Sequence, residues 1–126
     1  MAGTLTIDTL RAGSGVLATQ NGMTGIPKAW VNFSGTTANS AYNISSITNP
    51  ATGTFTITFT TSMPNVNYCI QITSSFASGI REDIFGLVYN DAPYTPTTTA
   101  FTVKFYRADT NVAVNPTFGY VAVLSS

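Results

Sequence analysis

Side chains able to carry bond chemistry are few in this chain, and they are scattered. There is no histidine and one cysteine, Cys69. That removes imidazole acid–base chemistry, zinc sites and a disulfide framework, and most enzyme classes go with them. Arg81-Glu82-Asp83 is the one charge cluster, following Ser78-Gly79 in a turn-rich stretch. Two adjacent carboxylates suggest a glycosidase pair or a calcium ligand set. Neighbouring side chains on an extended chain point to opposite sides, however, and do not converge on one scissile bond. No DxDxDG-type loop accompanies them. The cluster therefore reads as a solvated loop or an inter-subunit ion pair, with receptor contact as its functional alternative. Asp91 and Asp109 can be matched with serines on paper, but without histidine no hydrolase triad assembles. Gly13-Ser14-Gly15 lacks the Lys-Ser/Thr and the helix of a phosphate loop. Cys69 has no basic neighbour and reads as a small buried hydrophobe. The expectation is a protein without catalytic residues, metal or cofactor. A carbohydrate-active enzyme on a β scaffold is the alternative of another class, and its five dispersed acidic residues argue against it.

Binding chemistry is better represented. The segment Tyr89-Asn90-Asp91-Ala92-Pro93-Tyr94-Thr95-Pro96 combines rigid amphipathic rings with hydrogen-bonding Asn and Asp and is the candidate recognition loop, with an ordinary connection between strands as the competing reading. Its prolines lower the ordering cost of binding. Trp30 is the single tryptophan. Its ring suits the C–H face of a sugar, but its place in an early strand favours the core or a subunit interface. Asn32-Phe33-Ser34 and Asn43-Ile44-Ser45 fit the N-glycosylation pattern. The N-terminus has no basic region followed by an apolar one, so no secretory signal is read and the two sites carry no meaning. Synthesis in the cytoplasm of the producing cell is expected.

The elements that must position these residues follow from composition and pattern. Of 126 residues, 44% are hydrophobic and 8% charged, with five basic and five acidic groups cancelling; soluble domains usually carry roughly 25% charge. A balanced, weakly charged chain gives no electrostatic footprint for nucleic acid or an anionic membrane. Its hydrophobicity excludes disorder. No apolar run reaches the length of a membrane span. Thr, Ser and Asn supply 43 residues, 22 of them Thr, and β-branched Thr suits the outward side of a pleated sheet.

Period-2 alternation is the dominant pattern. In Gly53–Thr61, Phe55, Ile57 and Phe59 alternate with four threonines, and only a strand separates those sets cleanly. Tyr68, Ile70 and Ile72 oppose Cys69, Gln71 and Thr73; Phe101, Val103 and Phe105 oppose Thr102, Lys104 and Tyr106. Weaker strands are Ala29–Phe33, Tyr42–Ile47, Ile84–Tyr89 and Phe118–Leu124, the last a nearly continuous apolar run that suggests burial on both faces. These make seven strands, with Thr4–Leu10 a candidate eighth, and turn signals separate them. The pattern predicts an all-β, antiparallel, jelly-roll-like β-sandwich over residues 27–126. Residues 1–26 read as an extended arm whose apolar positions Leu5, Ile7 and Leu10 need cover from a neighbouring subunit or another protein. The competing reading makes them a first strand of the same sheet. Trp30, Phe55, Ile57, Phe59, Phe101, Val103 and Phe105 are the expected core or interface.

From Lys28-Ala29-Trp30-Val31-Asn32-Phe33, through Tyr42-Asn43-Ile44-Ser45-Ser46-Ile47-Thr48, to the run Gly53–Phe59 and Thr60-Thr61-Ser62-Met63-Pro64-Asn65-Val66-Asn67-Tyr68, the chain resembles the β-rich domain near the C-termini of phage tail-fibre and related virion proteins. Thr4-Leu5-Thr6-Ile7-Asp8-Thr9-Leu10 is similar to the segment that opens such fibre proteins, so the resemblance covers roughly residues 4–68, while 69–126 match only in style. The resemblance implies a homotrimeric, virion-associated knob. With about 26 residues ahead of the body, it points to a short fibre attached to other virion proteins through its arm. Outward loops would contact host surface glycans through Arg81, Glu82, Asp83, Tyr89, Asn90, Asp91 and Tyr94. A capsid cement bridging coat subunits is the alternative role for the same fold.

Overall fold

A computed structural model describes residues 26–75 and 83–125, together with Gly3. Eight strands run through it: β1 (Pro27–Ser34), β2 (Thr37–Tyr42), β3 (Ile44–Ala51), β4 (Thr54–Phe59), β5 (Cys69–Ser74), β6 (Ile84–Tyr89), β7 (Ala100–Arg107) and β8 (Gly119–Leu124). They form two four-stranded antiparallel sheets, ordered β2-β1-β8-β5 and β3-β4-β7-β6. The protein is an all-β antiparallel sandwich. Thr4–Leu10 lies outside the described residues, as do the arm positions Leu5, Ile7 and Leu10.

Inward rows of the two sheets make the core, as the alternation requires. Ala29, Val31 and Phe33 of β1 and Val121 and Val123 of β8 meet Phe55, Ile57 and Phe59 of β4 and Phe101, Val103 and Phe105 of β7. The rings of Phe33 and Phe55 lie 5.1 Å apart and those of Phe55 and Phe105 5.9 Å, in tilted and edge-to-face contacts, the arrangements that ring quadrupoles favour. Gly53 shows what holds the β3–β4 turn against β7. Its φ is 73°, and a Cβ there would come within 2.6 Å of the Phe105 carbonyl oxygen. Its amide donates to Asn115 Oδ1 at 2.6 Å, and its carbonyl accepts from the Phe105 amide at 2.8 Å.

Four expectations need correction. Tyr42–Ile47 is not one strand: the chain leaves one sheet after Tyr42 and enters the other at Ile44, turning at Asn43 with φ 56°. The Asn43 side chain holds that crossing, donating to the carbonyls of Lys28 (3.0 Å) and Thr61 (3.1 Å) and accepting from the Thr61 amide (2.7 Å). Phe118–Leu124 is not buried on both faces. Val121 and Val123 enter the core, while Tyr120 is 40% exposed on the other side. Trp30, expected in the core or at a subunit interface, is outside the core: flanked by inward Ala29 and Val31, it points outward and is 39% exposed. Cys69 is exposed, because inward Tyr68 and Ile70 place it on the outer side of an edge strand.

Candidate recognition surface

The outward positions of β6 and β7 pair across the sheet as Phe85 with Tyr106, Leu87 with Lys104, and Tyr89 with Thr102. Each strand has a core-facing or half-buried row that fixes this parity, so the outward row must rise at two-residue steps. The result is a continuous run of ring and cation contacts. Phe85 stacks on Tyr106 with centroids 5.8 Å apart. Lys104 Nζ lies 5.3 Å from the centre of the Tyr106 ring and 4.7 Å from that of Tyr89. Tyr89 in turn stacks on Tyr94 at 5.0 Å. Hydrogen bonding to Tyr106 holds the Lys104 ammonium pKa above its ordinary value against partial desolvation, with Tyr106, Tyr89 and Tyr94 adding electrostatically in the same direction. Among the described residues no carboxylate pairs with Lys104; the ion pair present is Arg107 with Asp109, at 2.7 Å. Arg107 accordingly holds the Asp109 carboxyl below its usual range.

The loop from Asn90 to Thr99 is fixed from beneath. Tyr68 packs edge-on against Phe59 and Phe101. Its hydroxyl donates to the carbonyls of Thr97 (2.8 Å) and Ala100 (3.3 Å). Burial pushes the Tyr68 phenol up to about 12. The amides of Phe59 and Met63 donate to the carbonyls of Thr99 and Thr98, each at 2.8 Å, and the Tyr94 amide closes the loop tip onto the Asp91 carbonyl at 2.6 Å. A tied loop loses little conformational entropy on binding.

Between this loop and the sheet lies a cleft of about 310 Å³, lined by Thr56, Pro93, Tyr94, Thr95, Thr97, Ala100, Phe101 and Thr102. On its sheet side the hydroxyls of Thr56 and Thr102 bond to each other at 2.9 Å. The cleft thus combines a tyrosine wall, an apolar floor and threonine hydroxyls in one place.

Comparison with protein-family models, with curated proteins and with solved structures finds no match. The chemistry of the surface must therefore be read from its own residues.

The expected contact residues fall in three places. Tyr89 and Tyr94 come together at the site, and Asn90 and Asp91 are exposed in its loop. Asp83 is exposed just before β6, at the other end of that six-residue strand, about 20 Å from Tyr89 at strand rise. It does not share a site with the Tyr89–Tyr94 loop. Arg81 and Glu82 lie outside the described residues. Sequence reasoning passed over Lys104, Tyr106, Thr56, Thr102 and the supporting Tyr68. The first two stand in the outward row of the Phe101–Phe105 strand, but nothing in the sequence says which strand lies beside it.

The opposite outer face has another character. Its outward positions include Trp30 and Asn32 on β1, Tyr120, Ala122 and Leu124 on β8, and Cys69, Gln71 and Thr73 on β5, in register as Trp30–Ala122–Gln71 and Asn32–Tyr120–Thr73. Apart from Lys28, buried near the start of β1, the strands of this sheet carry no charged side chain. Trp30, Asn32, Gln71, Thr73, Tyr120 and Ala122 border a shallow groove of about 270 Å³.

Proposed function

We propose that this chain is a non-catalytic structural protein of a virion: a trimeric short fibre or knob, attached through residues 1–26, that contacts host surface glycans with the outer face of the β3-β4-β7-β6 sheet. The observation that carries the binding role is the tyrosine-walled, threonine-lined cleft beside the Tyr89–Tyr94 stack. Such a surface holds a sugar by ring contact and hydroxyl pairing without moving a proton. The virion assignment and the number three are supported by the resemblance of residues 4–68 to fibre proteins. Self-association is supported by the opposite face, where Trp30 and Tyr120 are exposed on a sheet whose strands carry no exposed charge. A second copy of the chain, presenting an equally uncharged surface, covers it without stranding an ion pair. Closed symmetric assembly is the usual outcome of such self-complementarity.

Two measurements on the purified chain test this. Light scattering should give a native mass of three times 13.3 kDa. Immobilised bacterial surface polysaccharide should retain the protein without being degraded. A monomer overturns the knob reading, and release of reducing sugar overturns the non-catalytic one.

A further inference from the structure

Among the outward strand positions of the β3-β4-β7-β6 sheet, Lys104 is the one charged residue. It stands one outward step along β7 from Thr102, which lines the cleft, a rise of about 7 Å. That is a neighbouring-subsite distance rather than a distant one. The ammonium is half-exposed, has no carboxylate partner among the described residues, and is flanked by the rings of Tyr89 and Tyr106. Aromatic faces orient a cation without neutralising it. Among the described residues Lys104 is thus a positive charge without a carboxylate partner, oriented by rings, beside the Tyr94–Thr102 cleft.

Resting on the glycan-binding reading above, we propose that the surface selects an acidic oligosaccharide: one sugar ring lies in the cleft against Tyr94, and the anionic group of an adjoining sugar meets Lys104. The anion is a carboxylate or a sulfate on a sugar ring; both offer oxygens to the same ammonium donors. A neutral saccharide makes the cleft contacts alone. Because the protein as a whole has no net charge, attraction of the acidic chain comes from this local group rather than from a general basic field, so the preference is confined to one charge.

The test is titration of the full chain with oligogalacturonate, with a sulfated galactan oligomer and with a neutral galactan oligomer, at low and high salt, for the natural sequence and for Lys104→Gln. One or both acidic probes should bind about tenfold tighter than the neutral one, the worth of one charge-assisted hydrogen bond. Which acidic probe is preferred identifies the anion. High salt should remove the preference, and so should Lys104→Gln. Equal affinity for neutral and acidic probes, or a preference that survives high salt or Lys104→Gln, overturns the proposal and leaves glycan contact standing. If no probe of either kind binds, the glycan-contact reading itself falls, and this proposal with it. Should Lys104→Gln fail to fold, the salt dependence of the natural chain decides alone.

Discussion

The two outer faces of this sandwich differ in one respect above others: one carries a half-exposed charge set among rings, and the other carries no exposed charge on its strands. On the inner strands of each sheet every second residue enters a shared core, so the remaining residues are freed from core packing and carry whatever the surface needs. On the β3-β4-β7-β6 face those residues include threonines, tyrosines and one lysine, with exposed Phe85 and Leu87 beside them, arranged so that threonines line a cleft and rings flank a charge. On the β2-β1-β8-β5 face they include Trp30, Tyr120, Ala122 and Leu124, with Gln and Thr between them and no exposed charge on the strands. On the proposed reading, the first face takes a small ligand where its rings, hydroxyls and single ammonium gather around the cleft. An uncharged face that mixes amphipathic aromatics with Asn, Gln and Thr has the composition of a protein–protein surface on the proposed reading, where area rather than a few directed bonds supplies the energy. On the proposed function, recognition and assembly would fall on opposite sides of one domain, where neither obstructs the other.

Breaking the common frame has the largest effect. Ile57→Asp puts an unpaired carboxylate at a fully buried position, and the cost of such burial exceeds what a small domain has in reserve. No cooperative thermal transition should remain, and both faces should be lost together. A normal melting curve would sink the assignment of inward rows. Trp30→Arg separates the faces instead. It places a charge in the middle of the apolar face while its backbone stays in β1, so native mass should fall from trimer to monomer with the far-ultraviolet circular dichroism unchanged. A trimer that survives would move the subunit interface elsewhere.

Tyr94→Ala acts on the other side alone. Loss of one stacked ring should weaken saccharide binding by about tenfold, an effect on the order of 1–2 kcal/mol for an aromatic contact, with trimer mass unaltered. A simultaneous loss of trimer would show that the two faces are not independent. Smallest is Tyr68→Phe, which removes the hydroxyl that ties the loop to the sandwich through Thr97 and Ala100, a cost of about 1 kcal/mol. It also carries a pH signature. The phenol is raised to about 12 in the folded protein, so its neutral form is favoured there, and its contribution is complete below an unfolded value near 10. As pH climbs from about 10 to 12 the unfolded chain ionises first and stability declines. Tyr68→Phe should flatten that decline in alkaline denaturation curves; an identical slope in both proteins would show that the buried hydroxyl does not govern it.

The inward rows were legible because alternation is a local property. Phe55, Ile57 and Phe59 lie between threonines in the sequence, and a pleated strand has no choice but to send them to one side. The same holds for Phe101, Val103 and Phe105. β2 was not legible: Thr37–Tyr42 is exposed along almost its whole length and shows no alternation. Its place is fixed by hydrogen bonding to β1 in a register running from Trp30–Tyr42 to Ser34–Thr37. The Phe118–Leu124 run misled because an apolar outer face and a second buried face look alike in one dimension. Only the absence of a layer over Tyr120 within the described chain separates them.

Parity along the alternating strands such as β4 and β7, and therefore which of their residues are candidates for the core and which for a surface, was written in the chain before folding. Strand order and register were not, because they depend on which distant segments pair. Lys104 becomes a flanked charge only because β6 lies beside β7 with Leu87 opposite it, Tyr106 one outward step away and Tyr89 diagonally across. Trp30 becomes part of an apolar face only because β8 lies beside β1 and places Ala122 opposite it. Local sterics set the first kind of fact, and the long-range burial of two apolar rows against each other sets the second.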